Sequence, residues 1–311
     1  MLGMVALPPP PVARPSRRPP STALLRRGRT LASLPCRCRC RCGRRHLLGA
    51  SSAAALLPLI APPSPAAPPI DPDVSSFTVP PGTRSSMRDV MLERVHPSRP
   101  DWYEELYATA MDKGMKSYEA EIAGYKAKLF SQLMATGKNI LELGVGTGPN
   151  FKYYASSNGV NIIGVDPNKH MEDYARTAAV SAGLPLSNFT FKRGVAESLP
   201  AEDNSMDVVI GTLVLCSVSN IEMALKEINR VLKPGGLYLF IEHVAAPDDS
   251  FLRFVQGALD PLQQFVADGC HLTRKTGENI RDVGFSNLTL DSVRLSNAYI
   301  ISPHVYGVAC K

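Results

Sequence analysis

The first 70 of the 311 residues contain no aspartate or glutamate, yet they hold 11 arginines and 14 of the chain's 27 prolines. A segment so one-sided in charge and so broken by proline does not build a packed core. Removing those arginines from the 34 basic residues leaves 23 against 28 acids in residues 71–311. The net charge of +6 therefore belongs to the leader. It gives no ground for a nucleic-acid partner, and none is expected.

A membrane-length apolar run is also missing. The longest candidate, Leu47–Ala61, has 15 residues, short of the roughly 20 that span a bilayer. No C-x-x-C pair occurs. Cys36, Cys38, Cys40 and Cys42 alternate with arginine, a spacing and a charge that disfavour a bound cation. Cys216, Cys270 and Cys310 are scattered and odd in number, so neither a disulfide framework nor a metal is expected, and a reducing compartment fits. The dinucleotide turn G-x-G-x-x-G is absent, which counts against a nucleotide-dependent oxidoreductase. No internal repeat is visible.

An arginine-rich, serine-bearing, acid-free N-terminus has the composition of an organelle transit peptide. Arg44-Arg45 precedes the apolar stretch Leu47–Ala61, and small residues at Ser64, Ala66 and Ala67 offer a cleavage site. Two readings stay open: a twin-arginine signal for the thylakoid lumen, or a stromal transit peptide with a chance arginine pair. Both place the protein in the chloroplast. If the apolar stretch is retained, it would hold the protein peripherally at a membrane. The organisation expected is a leader over 1–69, a linker over 70–100 punctuated by Pro72, Pro80-Pro81-Gly82, Pro97 and Pro100, and a folded domain over 101–311.

The most informative residues are LELGVGTGPN, Leu141–Asn150. An acid, Glu142, sits in an apolar strand, and Gly144, Gly146 and Gly148 follow at alternate positions. Such a strand, glycine turn and helix start bring bare backbone and unpaired N–H groups up to a ligand. An acid in the strand would repel a pyrophosphate and suit a cationic ligand such as S-adenosylmethionine. The second motif, NIIGVDPN, ends a short apolar strand in Asp166. Its place after the glycine turn suits a carboxylate that accepts from two ribose hydroxyls. Capping of the next helix is the alternative for Asp166.

These motifs resemble the class I S-adenosylmethionine-dependent methyltransferases, over about Lys138 to Lys311. Two further stretches agree: GVAESLPAEDNSMDVVIGTLVLCSV (Gly194–Val218) and EINRVLKPGGLYLFIEH (Glu227–His243). The resemblance implies an α/β fold, a single Rossmann-like domain. It would have about seven strands, mostly parallel, with an antiparallel pair at the C-terminal edge and helices at the N-terminal side. It implies an enzyme that binds S-adenosylmethionine through Glu142, Gly144, Gly146, Gly148, Asp166 and Thr212. The adenine side would fall to Ala196 and Glu197, because Val195 stands where the family often has an acid. TLVLCSV, EHVAAP, LDPLQQFVADGCHLTR and SPHVYGVACK are similar to the methyltransferase-like-seven group, whose members are membrane-associated and linked to methylation of alkyl thiols. A small-molecule methyl acceptor, a thiol among the candidates, is thereby implied. Two alternatives stay open: C-methylation of a prenylated quinol in an apolar groove near residues 251–266, and a non-catalytic binding protein of the same fold.

The pattern predicts strands near 139–143, 161–166, 189–193, 206–211, 237–242, 287–293 and 304–310. Helices are predicted near 149–156, 169–182, 220–232 and 274–283. Tyr118, Ile122, Tyr125, Leu129 and Leu133 share one helical face in a longer helix over about 117–136, closed by Gly137. Asp101 is the expected N-cap of an earlier helix, with Glu104 three positions on. Lys233-Pro234-Gly235-Gly236 reads as a turn between helix and strand. A thiol or phenol acceptor must lose a proton, and His243 and His271 are the candidate bases, His271 oriented by Asp268. His304 reads as structural, and Cys270 as a covalent nucleophile is not required by the chemistry.

Overall fold

The computed structural model describes residues 83–133, 139–155 and 159–311. The leader 1–69, the linker as far as residue 82 and the closing Gly137 lie outside the described residues.

Seven strands form one sheet in the order β3-β2-β1-β4-β5-β7-β6. They are β1 (Asn139–Leu143), β2 (Asn161–Asp166), β3 (Phe189–Arg193), β4 (Met206–Thr212), β5 (Leu232–His243), β6 (Asn287–Arg294) and β7 (Pro303–Cys310). The first five run parallel. β7 runs antiparallel to both β5 and β6, and so is inserted between them. The helices are α1 (Thr83–Val95), α2 (Asp101–Gly114), α3 (Lys116–Phe130), α4 (Phe151–Tyr154), α5 (Met171–Ser181), α6 (Ile221–Val231), α7 (Phe251–Val266) and α8 (Thr276–Asp282). None is long and apolar enough to cross a membrane among the described residues.

Central strands covered on both faces should be apolar at consecutive positions, not alternate ones. β4 obeys: Val208, Val209 and Ile210 are all fully buried. The helices cover those faces with one stripe each. On α6 the stripe is Ala224, Leu225, Ile228 and Val231, all buried, and the Asn220 side chain caps the helix by accepting from the Met223 N–H at 2.9 Å. Each buried Leu or Ile there contributes about 1.5–3 kcal/mol.

Three sequence expectations are corrected. The stretch 70–100 is not all linker: α1 lies within it, with Leu92 buried and the Val95 carbonyl accepting from the Ser219 hydroxyl at 2.7 Å. Its weak periodicity is overridden by contacts made far along the chain. Asp101 is the first helical residue of α2, preceded by Pro100, and its carboxylate pairs with Lys169 and His170 instead of capping. Lys233-Pro234-Gly235-Gly236 is a bulge within β5, since Met206 and Val208 of β4 face Leu232 and Leu237. Residues 251–266, whose apolar side chains suit a groove or ordinary core, make an amphipathic helix with Phe251, Phe254, Leu262, Phe265 and Val266 exposed.

Candidate active site

The cavity lies at the carboxyl ends of β1, β2 and β4, where open α/β sheets bind ligands. Its volume is about 690 Å³. The turn after β1 forms its floor. Gly146 has φ +51° and lines the cavity, and a Cβ built there would meet only the Gly144 carbonyl, in ordinary contact at 3.8 Å. Bare backbone therefore faces the cavity. Gly148 serves packing: at φ +75° its missing Cβ would lie 2.8 Å from the Phe151 ring and 2.9 Å from Ala178.

Asp166 ties the turn to β2. One carboxylate oxygen accepts from the Gly146 N–H and the other from the Asn168 N–H, each at 3.0 Å. Burial pushes its pKa up to about 6, against the pull of those two N–H groups. Each oxygen keeps lone-pair capacity for a further donor. The structure gathers Gly144, Gly146, Gly148, Asp166, Ala196, Glu197 and Thr212 on the cavity wall. Glu197 also accepts from the Asn220 N–H at 3.0 Å, at the start of α6.

Glu142 is placed elsewhere, which corrects the expectation of direct contact. Its carboxylate does not line the cavity; it turns toward α4, accepting from Asn150 Nδ2 at 2.7 Å and from the Tyr154 hydroxyl. Burial lifts its pKa to about 7, although both hydrogen bonds oppose the rise. Asn150 Nδ2 also reaches Thr212 Oγ1 at 3.0 Å. Glu142 thus positions the cavity wall from behind.

The opposite wall comes from the N-terminal helices, with Tyr107, Met111, Tyr118, Glu119 and Lys126. Lys126 is fully buried and donates to Glu119 Oε1 at 2.6 Å, while Glu119 Oε2 is buried without a partner. His96 and Asp268 also line the cavity. His96 Nε2 lies 3.0 Å and 3.1 Å from the two Asp268 oxygens, and Arg99 meets the same carboxylate at 3.2 Å. His96 Nδ1 is buried and unpartnered. Burial disfavours the imidazolium, but Asp268 outweighs it and raises the His96 pKa.

The two expected bases are not at the cavity. His243 is buried behind it, with Nε2 2.8 Å from Cys270 Sγ. His271 pairs weakly with Asp260 at 3.6 Å, half-exposed, because Asp268 is engaged by His96 instead. His304 bonds the Tyr118 hydroxyl at 3.1 Å and the Ser302 carbonyl, and burial lowers its pKa to about 4.

Comparison with known proteins settles the family. The methyltransferase-domain family model matches residues 141–240. The chain is 39% identical to the thiol S-methyltransferase TMT1A of Homo sapiens over 201 residues, 62% of this chain and 81% of that one. It belongs to the class I S-adenosylmethionine-dependent methyltransferases, close to the thiol S-methyltransferases. The methyltransferase is also 38% identical to TMT1B of Rattus norvegicus, over 68% of its own length and 86% of the relative's. Its fold matches a chain in the complex between the Haloferax volcanii Trm112 methyltransferase activator and a methyltransferase. That match has a TM-score of 0.52 at 20% identity, covering 68% of this chain and 99% of that one.

The cavity of this methyltransferase fits its cofactor. Bare backbone at Gly146 admits a close ligand, Asp166 has acceptor capacity for hydroxyls, and Val165, Val195 and Ala196 give an apolar surface for a base. The Glu119–Lys126 pair, with its orphaned Oε2, complements an ammonium and a carboxylate on one ligand.

Proposed function

We propose that the enzyme methylates a small-molecule thiol, with His96 as the base and Asp268 as its positioning partner. The carrying observation is the His96–Asp268 pair at the cavity, with one ring nitrogen bonded and the other buried without a partner. Likeness to the thiol S-methyltransferases supports the choice of acceptor. When bound, S-adenosylmethionine supplies a methyl group already activated by its sulfonium. Asp166, the Gly146 backbone and the Glu119–Lys126 pair would hold the ribose, the turn-facing edge and the amino-acid end. The chain's remaining task is to exclude water and remove a proton. Asp268 accepts from Nε2–H and fixes the tautomer, leaving Nδ1 to take the thiol proton, as a buried carboxylate orients a histidine in other enzymes.

The test is a methylation assay of the purified full chain with an alkyl thiol, a phenol and a short-chain prenylated quinol. Methyl thioether from the thiol is the expected product. Methylation of the quinol with none of the thiol would sink the reading.

The leader composition supports delivery to the chloroplast, and the exposed apolar side chains of α7 support peripheral membrane contact. A fluorescent fusion of the full chain should therefore enter plastids and fractionate with their membranes. Cytosolic fluorescence would overturn the targeting reading.

A further inference from the structure

Behind the cavity wall, three ligating side chains from three different segments converge. Cys216 follows β4, His243 ends β5 and Cys270 follows α7. Their Sγ and ring-nitrogen atoms all lie within 4.8 Å of one another, and all three residues are buried. Ligands on one tetrahedral zinc ion stand about 3.3–3.8 Å apart, given bonds of about 2.0–2.3 Å. The cluster therefore needs only small side-chain shifts to close on an ion. We propose that Cys216, His243 and Cys270 form a binding site for a thiophilic metal ion, with Zn²⁺ as its occupant.

Three observations support a built site. The backbones that carry the two thiols are locked together. The His271 N–H donates to the Cys216 carbonyl at 2.9 Å, and Gly269 passes so close to the Ser217 carbonyl that a Cβ would lie 3.0 Å from it. Arg274 braces the same loop, donating to the Leu215 carbonyl at 2.6 Å and the Val218 carbonyl at 2.8 Å. Finally, His243 Nδ1 is buried without a partner, so the ring is not committed to a hydrogen-bonded structural role on that side.

Charge and chemistry select the occupant. Binding Zn²⁺ displaces the two thiol protons and leaves His243 neutral, donating a lone pair. Two thiolates and one divalent ion sum to zero, which a buried site tolerates. Two sulfurs and an imidazole favour zinc over calcium, magnesium or manganese. An ion here would pin Cys216 and Cys270, and with them Ser217 and Asp268, which line the cavity. The inference does not rest on the thiol acceptor.

The experiment uses the full chain with Cys36→Ser, Cys38→Ser, Cys40→Ser and Cys42→Ser, which removes the leader's thiols. Elemental analysis after Zn²⁺ loading and dialysis should give about one equivalent per chain. Co²⁺ in its place should give the near-ultraviolet absorption of thiolate-to-cobalt charge transfer and the visible bands of a tetrahedral ion. Both should be lost in Cys216→Ser and in Cys270→Ser, while calorimetric S-adenosylmethionine binding reports that the variants remain folded. A folded parent that retains no zinc would overturn the proposal without recourse to any variant. So would retention of the cobalt spectrum in both cysteine variants. An intact mass two units low, marking a Cys216–Cys270 disulfide, would overturn it in favour of a redox pair.

Discussion

Replacing Asp166 with alanine should abolish measurable S-adenosylmethionine binding, a loss of at least about a hundredfold. Two effects add. A hydrogen bond to a charged group contributes about 1.5–3 kcal/mol, and a ribose offers two hydroxyls to this carboxylate. The Gly146 N–H also loses its acceptor at 3.0 Å, so the turn that presents bare backbone is no longer tied to β2. Asp166→Asn should fare little better, because its amide nitrogen would face a backbone donor on one side. The wild-type affinity should itself fall as pH drops through about 6, where Asp166 takes up its proton. That fall is not unfolding. A carboxylate whose pKa is raised from 3.8 to about 6 by the fold binds its proton more tightly when folded. For this group, then, the empty fold gains stability as pH falls from about 6 toward 4. Isothermal titration from pH 5 to 8, with circular dichroism beside it, separates the two. Unchanged affinity in Asp166→Ala would move the ribose anchor elsewhere.

The strands were legible because this chain punctuates them chemically. Glycine after Leu143, an acid closing Val165-Asp166 and Asn220 opening α6 each mark an end by a local requirement that tertiary contacts do not alter. The bounds of β1, β2 and β3 coincide with the predicted ones. Lys233-Pro234-Gly235-Gly236 misled for the same local reason. A turn-forming tetrapeptide was read as a turn, whereas its neighbour β4 supplies ladder partners at Met206 and Val208 that make it a bulge.

The site was legible only where it is made of backbone. Glycine spacing reports a turn directly, but an acid in a strand does not reveal which layer it enters. Glu142 lies two residues before the turn and still points to Asn150 and Tyr154. His96 was hidden by its setting, a proline-rich stretch without periodicity, and by a partner 172 residues away. Cys216, His243 and Cys270 were hidden by separations of 27 residues, which no metal-ligand motif contains. The corresponding signal in sequence was weak: Asp268-Gly269-Cys270-His271 announced chemistry, but suggested the wrong histidine as the carboxylate's partner.

His96→Ala should lower kcat for a thiol acceptor by about 10²–10⁴, the usual contribution of a positioned base, while leaving S-adenosylmethionine affinity near wild type. The separation of the two readouts follows from the hydrogen bonds, since His96 is bonded to Asp268 while Asp166 is tied to Gly146 and Asn168. The pH profile gives a sharper test. Asp268 raises the His96 pKa above its ordinary 6.5 by favouring the imidazolium, yet only the neutral ring can accept a proton. Activity in the wild type should therefore rise with pH through a value above 6.5. Asp268→Asn removes the charge that raises this pKa but keeps an acceptor for Nε2–H. Burial then dominates, so the rising limb should move to lower pH while the maximal rate falls. His96→Ala should abolish that limb, leaving only the titration of the thiol itself. A merely structural His96 would lower the rate without moving the limb in either variant. If Asp268→Asn leaves the limb where it was, the base is some other group and the thiol proton leaves by another route.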